Sequence, residues 1–283
     1  MLASALSWVK ASCSPSSAGV GEMQQTGTLS YEQSGKGLPV LLLHGFPLHR
    51  DIFAPVLPAL SQVGSMVAVD LPGFGASPLP RAGFSMKNVA QEVVTFAREQ
   101  GFRRFALVGH SMGGYIALEM AAQAPETLAG LVLLASHPWA DTPEARARRG
   151  EGIALIRRGL RQEFLAGFLS RLLSRWSQEN FPRLAGELAA MAEAVPDEVL
   201  VGYLEAMAAR ADHAATLAQL AVPVLVLIGD EDALIPGELA ESAARIARRG
   251  QLAVIPEAGH VPTMEKAIAT AEALARFLRA LEP

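Results

Sequence analysis

The sequence predicts an α/β fold: a mostly parallel central sheet, helices on both faces, and a helical insertion. Three observations predict it. Short Val-, Leu- and Ile-rich runs alternate with Ala-rich stretches of helical length. Several of the runs are unbroken apolar segments, as in strands covered on both faces. Residues 137–220 contain no comparable run.

Strands are read, in order, over residues 28–34, 39–43, 66–70, 105–109, 130–135, 222–228 and 252–255. Helices are read over 88–100, 112–124, 237–248 and 263–281. Such alternation needs crossover connections, which lay helices against a parallel sheet. The interval 137–220 is rich in Ala, Leu, Arg and Glu and reads as several short helices. Pro143, Pro182 and Pro196 each fall just inside a helix start, where a missing N–H is tolerated. Because it leaves and rejoins the sheet between two core strands, this interval is read as a cap over the site. A helical subdomain with no part in catalysis is the alternative. The division is then 23–136 and 221–283 for the core and 137–220 for the cap. Residues 1–22, rich in Ser, Ala and Gly, are expected to be a disordered tail or a non-native extension, with Met23 as the natural start. A secretory segment is the weaker alternative: its apolar stretch is short and Lys10 lies on the wrong side of it.

At 283 residues and 51% hydrophobic content the chain can bury a large core. The formal net charge of −4 gives no basic surplus for nucleic acid. The single cysteine, Cys13, forbids an intramolecular disulfide, which suits a reducing, cytoplasmic location. No apolar run reaches the roughly 18–20 residues of a membrane span. A homodimer is left open.

Gly109-His110-Ser111-Met112-Gly113 has the form G-x-S-x-G. Alone the pattern is weak; its setting strengthens it. Phe105-Ala106-Leu107-Val108 is a buried-strand pattern, and a helix is read from Met112. A strand turning sharply into a helix strains the middle residue and needs small neighbours two positions either side. It also lifts the Ser111 hydroxyl above the strand ends, beside a helix N-terminus that favours negative charge.

Gly109-His110-Ser111-Met112-Gly113-Gly114-Tyr115 resembles the nucleophile elbow of the α/β-hydrolase fold superfamily, and His44-Gly45-Phe46-Pro47 resembles its oxyanion loop. Asp70-Leu71-Pro72-Gly73-Phe74-Gly75-Ala76-Ser77 is similar to its D-x-x-G-x-G-x-S turn. The resemblance runs from about Thr28 to the C-terminus and is vague across the cap. It is closest to serine esterases and enol-lactonase-like members.

A serine nucleophile needs a general base, and the base an orienting acid. In this fold they follow the serine in the order acid, then histidine. Of six histidines, His260 in Ala258-Gly259-His260-Val261-Pro262 follows the last strand and is similar to the family's G-H loop. Gly229-Asp230-Glu231-Asp232 offers three carboxylates; the resemblance selects Asp232, with Asp230 as the rival. After residues 130–135 no acid precedes Asp141. His44 is assigned a structural hydrogen bond, and His110 a position partly in the core. His49, His137 and His213 have no matching context. One oxyanion donor is expected at the Met112 N–H, after the nucleophile. By resemblance the other is the Phe46 N–H, since Pro47 has none. Asp70 and its turn are assigned no chemistry.

Dehalogenases and epoxide hydrolases of this fold use Asp at the elbow, so Ser111 argues against both. What the resemblance leaves is acyl chemistry: a small to medium ester or lactone, favoured by Ala140-Asp141-Thr142-Pro143-Glu144, cleaved with no metal or cofactor. A C–C bond hydrolase or a cofactor-free perhydrolase or haloperoxidase is the alternative, and a non-enzymatic sensor the reading from another class. Trp139, Phe164, Phe168, Trp176 and Tyr203 either line a pocket or pack the cap onto the core. No cap arginine can be assigned to a substrate carboxylate.

Overall fold

Unbroken apolar strands must be covered on both faces. The computed structural model, which describes residues 23–26 and 29–281, places them in one eight-stranded sheet. The strands are β1 (Met23–Thr26), β2 (Leu29–Ser34), β3 (Pro39–Leu43), β4 (Ser65–Val69), β5 (Phe105–His110), β6 (Leu128–Leu134), β7 (Val224–Gly229) and β8 (Gly250–Ile255). Their order is β1-β2-β4-β3-β5-β6-β7-β8. β2 runs antiparallel to β1 and β4, and every pair from β4 to β8 is parallel. Successive side chains point to opposite faces. Leu41 and Leu43 of β3 therefore join one apolar cluster, and Val40 and Leu42 the other.

The helices are α1 (Leu57–Leu60), α2 (Met86–Glu99), α3 (Met112–Gln123), α4 (Pro143–Arg157), α5 (Arg161–Leu169), α6 (Arg175–Asn180), α7 (Pro182–Glu193), α8 (Asp197–Ala208), α9 (Ala214–Gln219), α10 (Gly237–Ile246), α11 (Pro262–Glu265) and α12 (Ala267–Arg279). α2, α3 and α10 cover the face of Leu41, while α1 and α12 cover the other. Between β6 and β7 lie α4 to α9 and no strand. This helical insertion sends Ile156, Leu165 and Tyr203 into the first cluster and Leu172, Leu173 and Leu188 into the second.

Local signals account for several of the helix starts. α2 begins two residues before the expected start because Ser85 caps it, its hydroxyl accepting from Asn88 N–H at 3.0 Å. Thr142 caps α4 in the same way, accepting from Ala145 N–H at 3.2 Å, with Pro143 as the first helical residue. Pro182 opens α7 likewise, but Pro196 sits one position earlier, as the cap of α8.

Two differences from the sequence expectation stand out. The helix expected over 263–281 is broken at Lys266 (φ −136°, ψ 56°), and Glu265 on its short first segment is buried. β1 was not expected: Met-Gln-Gln-Thr has no apolar alternation, and an edge strand needs only backbone pairing. The expectation for residues 1–22 lies outside the described residues. Among the described residues, no helix is long and apolar enough to cross a membrane.

Candidate active site

The loops that follow the parallel strands gather at the carboxyl edge of the sheet, where open α/β sheets hold their ligands. The loop after β5 is the tightest. Ser111 carries φ 51° and ψ −114°, a conformation that costs a non-glycine residue on the order of 1–3 kcal/mol. Its neighbours explain how the strain is held. A Cβ at Gly109 would lie 2.5 Å from Gly113 O, and one at Gly113 would lie 2.2 Å from Leu43 O. Only glycine fits either position. Ser111 N–H donates to Leu134 O at 2.8 Å, and Ser136 Oγ donates to Ser111 O at 2.8 Å. The backbone is thus fixed from both sides, and the side chain opens onto a cavity of about 760 Å³.

The loop after β8 brings His260 to that side chain. His260 Nε2 lies 2.9 Å from Ser111 Oγ. Its Nδ1 lies 2.8 Å from Asp232 Oδ2 and 3.0 Å from Oδ1. The His260 and Asp232 side chains are 2% and 1% exposed. Burial pushes the Asp232 carboxyl up. The adjacent His260 ring and the N–H groups of Ile235 and Leu234 outweigh that, and hold it below the ordinary value. An ionised carboxylate only accepts, so Nδ1 carries the hydrogen and Nε2 turns its lone pair to the Ser111 hydroxyl.

Three of the sequence-selected residues therefore meet, and the neighbouring acids do not join them. Asp230 is exposed, and Glu231 accepts from Arg175 N–H at 2.8 Å. Asp141 is committed to Arg149 and Arg210.

The loop after β3 lies against the same serine. A Cβ on Gly45 would stand 3.1 Å from Ser111 Cβ and 2.6 Å from His110 Nδ1. Glycine lets this backbone approach, and Phe46 follows with its side chain in the cavity wall. Met112 opens α3 directly after Ser111, so its N–H is among those a helix start leaves without an intrahelical partner. Leu71 N–H donates to His44 Nε2 at 2.9 Å, and burial lowers the His44 pKa to about 4, so the ring is a neutral strut. His110 Nε2 lies 2.7 Å from His260 O, and burial, with His260 next to it, lowers the His110 pKa to about 3. Asp70 binds Arg50 and accepts from Ala76 N–H at 3.0 Å, knotting the turn that packs Phe74 against His44 and Phe46. Among the described residues, no group of three or more His, Cys, Asp or Glu is placed to hold a metal.

The insertion supplies the far wall. Trp139, Phe164 and Phe168 line the cavity. Tyr203 is fully buried and donates to Pro72 O at 2.8 Å, and Trp176 packs on Phe181 and Lys266, so these two hold the insertion down instead.

Sequence reasoning missed His137, which lines the cavity, and Glu265. Glu265 Oε1 accepts from Gly259 and Val261 N–H, each at 3.0 Å, on either side of His260. Its Oε2 accepts from Ser174 N–H of the insertion at 2.8 Å. A Glu five residues after the G-H pair was visible in the sequence, but it reads as an ordinary exposed helix residue until the helix breaks at Lys266.

A strained serine at a strand-to-helix turn, on a parallel sheet with a helical insertion after β6, defines the class. The chain belongs to the α/β-hydrolase fold family, whose model matches residues 39–267. It is similar to the pimeloyl-(acyl-carrier protein) methyl ester esterase of Xanthomonas oryzae pv. oryzae, at 31% identity over 86% of this chain and 96% of that protein. The protein of the same name from Methylococcus capsulatus is 32% identical over 88% of this chain and 98% of its own length. A thermophilic esterase from Thermogutta terrifontis, solved with malate bound, superposes with a TM-score of 0.85 at 33% identity, over 89% of this chain and 93% of that one.

Proposed function

We propose that the chain hydrolyses a small to medium carboxylic ester or lactone through an acyl-enzyme on Ser111. The observation that carries this is the unbroken hydrogen-bond series from Asp232 through His260 to Ser111 Oγ, opening onto the cavity. Esterase relatives similar over most of their length support the reaction class.

His260 Nε2 takes the hydroxyl proton as Ser111 Oγ attacks the ester carbonyl carbon. The carbonyl oxygen becomes an oxyanion, held by the N–H groups of Phe46 and Met112. Imidazolium is stabilised by the buried Asp232 carboxylate. His260 then returns the proton to the leaving alkoxide, releasing an alcohol and leaving the acyl group on Ser111. Water, deprotonated by the same nitrogen, attacks the acyl carbon, and collapse frees the acid and restores the serine.

A fluorophosphonate probe tests the nucleophile directly. One adduct per chain is expected, on Ser111 and absent from Ser111→Ala; no label, or a label surviving that substitution, would falsify the proposal.

Glu265 acts here as a positioning residue for the base. Glu265→Gln puts an NH2 where a carboxylate oxygen now accepts, turning a donor toward a backbone N–H. Leaving such a group unsatisfied costs about 1–3 kcal/mol. We expect a lower melting temperature, a several-fold fall in kcat and an altered pH profile of kcat, because the His260 loop is what loosens. A melting shift with an unaltered kcat and pH profile would reduce Glu265 to a folding role.

A further inference from the structure

The sequence connects no arginine of the insertion to the site, yet the fold gathers four of them there. Arg148 and Arg149 on α4, Arg171 after α5 and Arg210 after α8 all reach the cavity that Ser111 and His260 open onto. Among the described residues, two carboxylates share its wall, Asp141 and Asp212. Asp141 serves two guanidiniums, accepting from both Arg149 and Arg210. Arg210 is committed further, to Trp139 O at 3.1 Å and to the face of Tyr115, 4.0 Å from the ring centroid. Asp212 is turned to backbone, its Oδ1 accepting from Ala214 N–H at 2.9 Å.

That leaves Arg148 and Arg171. Neither takes part in any ion pair among the described residues. Glu144, one turn earlier on α4, is exposed; hydrogen bonds at the helix start and, more weakly, the charge of Arg148 hold its carboxyl below the ordinary value, but the two form no ion pair. Loss of solvation and then the like charge of Arg148 push the Arg171 pKa below its ordinary value, so the two guanidiniums sense each other across the rim. The Arg171 guanidinium carbon lies 5.9 Å from the Phe168 ring, and that ring lies 5.5 Å from Phe46. The free positive charge is thus linked, through two ring contacts, to the loop beside Ser111. His137 adds none: burial, then Arg210, lowers its pKa to about 4.

Two rim guanidiniums outside any ion pair, in a wall that holds four guanidiniums against two carboxylates, disfavour a cationic ligand and match a planar or tetrahedral oxyanion. We propose that Arg148 and Arg171 form an anion subsite, and that the preferred substrate is an ester carrying a carboxylate or phosphate group several bonds from the scissile carbonyl. This rests on the ester-hydrolase reading above and narrows its substrate class.

The test is a panel of esters in matched pairs. Monomethyl adipate and monomethyl suberate carry the charge on the acyl side, 4-acetoxybutanoate on the alcohol side, and methyl 6-phosphonooxyhexanoate carries a phosphate. Each is set against a neutral ester of equal length. At low ionic strength we expect a kcat/KM ratio of charged to neutral of about tenfold or more in at least one pair, shrinking as salt rises. Arg148→Gln with Arg171→Gln should collapse that ratio, and the double lysine variant should keep much of it. The favoured pair tells acyl from alcohol side and carboxylate from phosphate. Ratios near one in every pair, or a ratio that survives the double glutamine variant, overturn the subsite alone. Absence of turnover on every ester, with no fluorophosphonate label, overturns the hydrolase reading and the subsite with it.

Discussion

Ser111→Ala is expected to lower kcat on a simple ester such as p-nitrophenyl butyrate by about 10⁶-fold while leaving the fold in place. Both halves follow from the elbow. The hydroxyl makes one hydrogen bond, to His260 Nε2 at 2.9 Å, and opens onto the cavity. The atom left behind, His260 Nε2, belongs to a ring that lines the same cavity, so water can take the place of the hydroxyl. Alanine also carries a Cβ, so the strain at φ 51° stays as it was. The melting temperature should move by no more than a few degrees, while the covalent route disappears. What survives is the rate that binding and the two N–H groups can give a water attack, roughly 10³–10⁴ over the uncatalysed reaction. A variant that keeps a tenth of the activity would mean that another group attacks the carbonyl.

How much of this site could be read beforehand depended on where each part of the information lies. Ser111 sits in a local pattern, because the strain of the turn demands glycines at 109 and 113 within five residues of chain. His260 and Asp232 were legible because each lies in the loop that follows a strand, and strand ends are where a parallel sheet delivers its chemistry. The choice of Asp232 over Asp230 came from resemblance; the geometry gives it a separate reason, since Asp230 is exposed and Asp232 is turned onto Nδ1.

The cavity wall was not legible. Arg148, Arg171 and His137 come from separate segments of the chain, and nothing in their local sequence distinguishes an arginine facing a cavity from one facing solvent. The aromatic residues divided for the same reason. Phe164 and Phe168 lie on the cavity side of the insertion, whereas Tyr203 is drawn inward by the carbonyl of Pro72. β1 escaped because Met-Gln-Gln-Thr has no apolar alternation to announce a strand.

Asp232→Asn should lower kcat by about 10⁴-fold, and Asp230→Asn should leave it within about twofold. The first effect comes from the tautomer. Asp232 Oδ1 accepts from the N–H groups of Leu234 and Ile235 at 2.8 and 3.0 Å, so an asparagine there keeps its carbonyl oxygen in that position. The amide nitrogen then occupies the place of Oδ2, 2.8 Å from His260 Nδ1. An NH2 group only donates, so Nδ1 must become the acceptor and the ring hydrogen moves to Nε2. That hydrogen faces Ser111 Oγ, and the base loses the lone pair with which it takes the proton. Size and packing are unchanged, so the fluorophosphonate labelling rate should fall together with kcat while the melting temperature changes little. Asp230 is exposed, and its amide would meet only solvent. If Asp230→Asn were the damaging change and Asp232→Asn the mild one, the acid would have to be moved by two residues and the 2.8 Å contact to His260 would need another explanation.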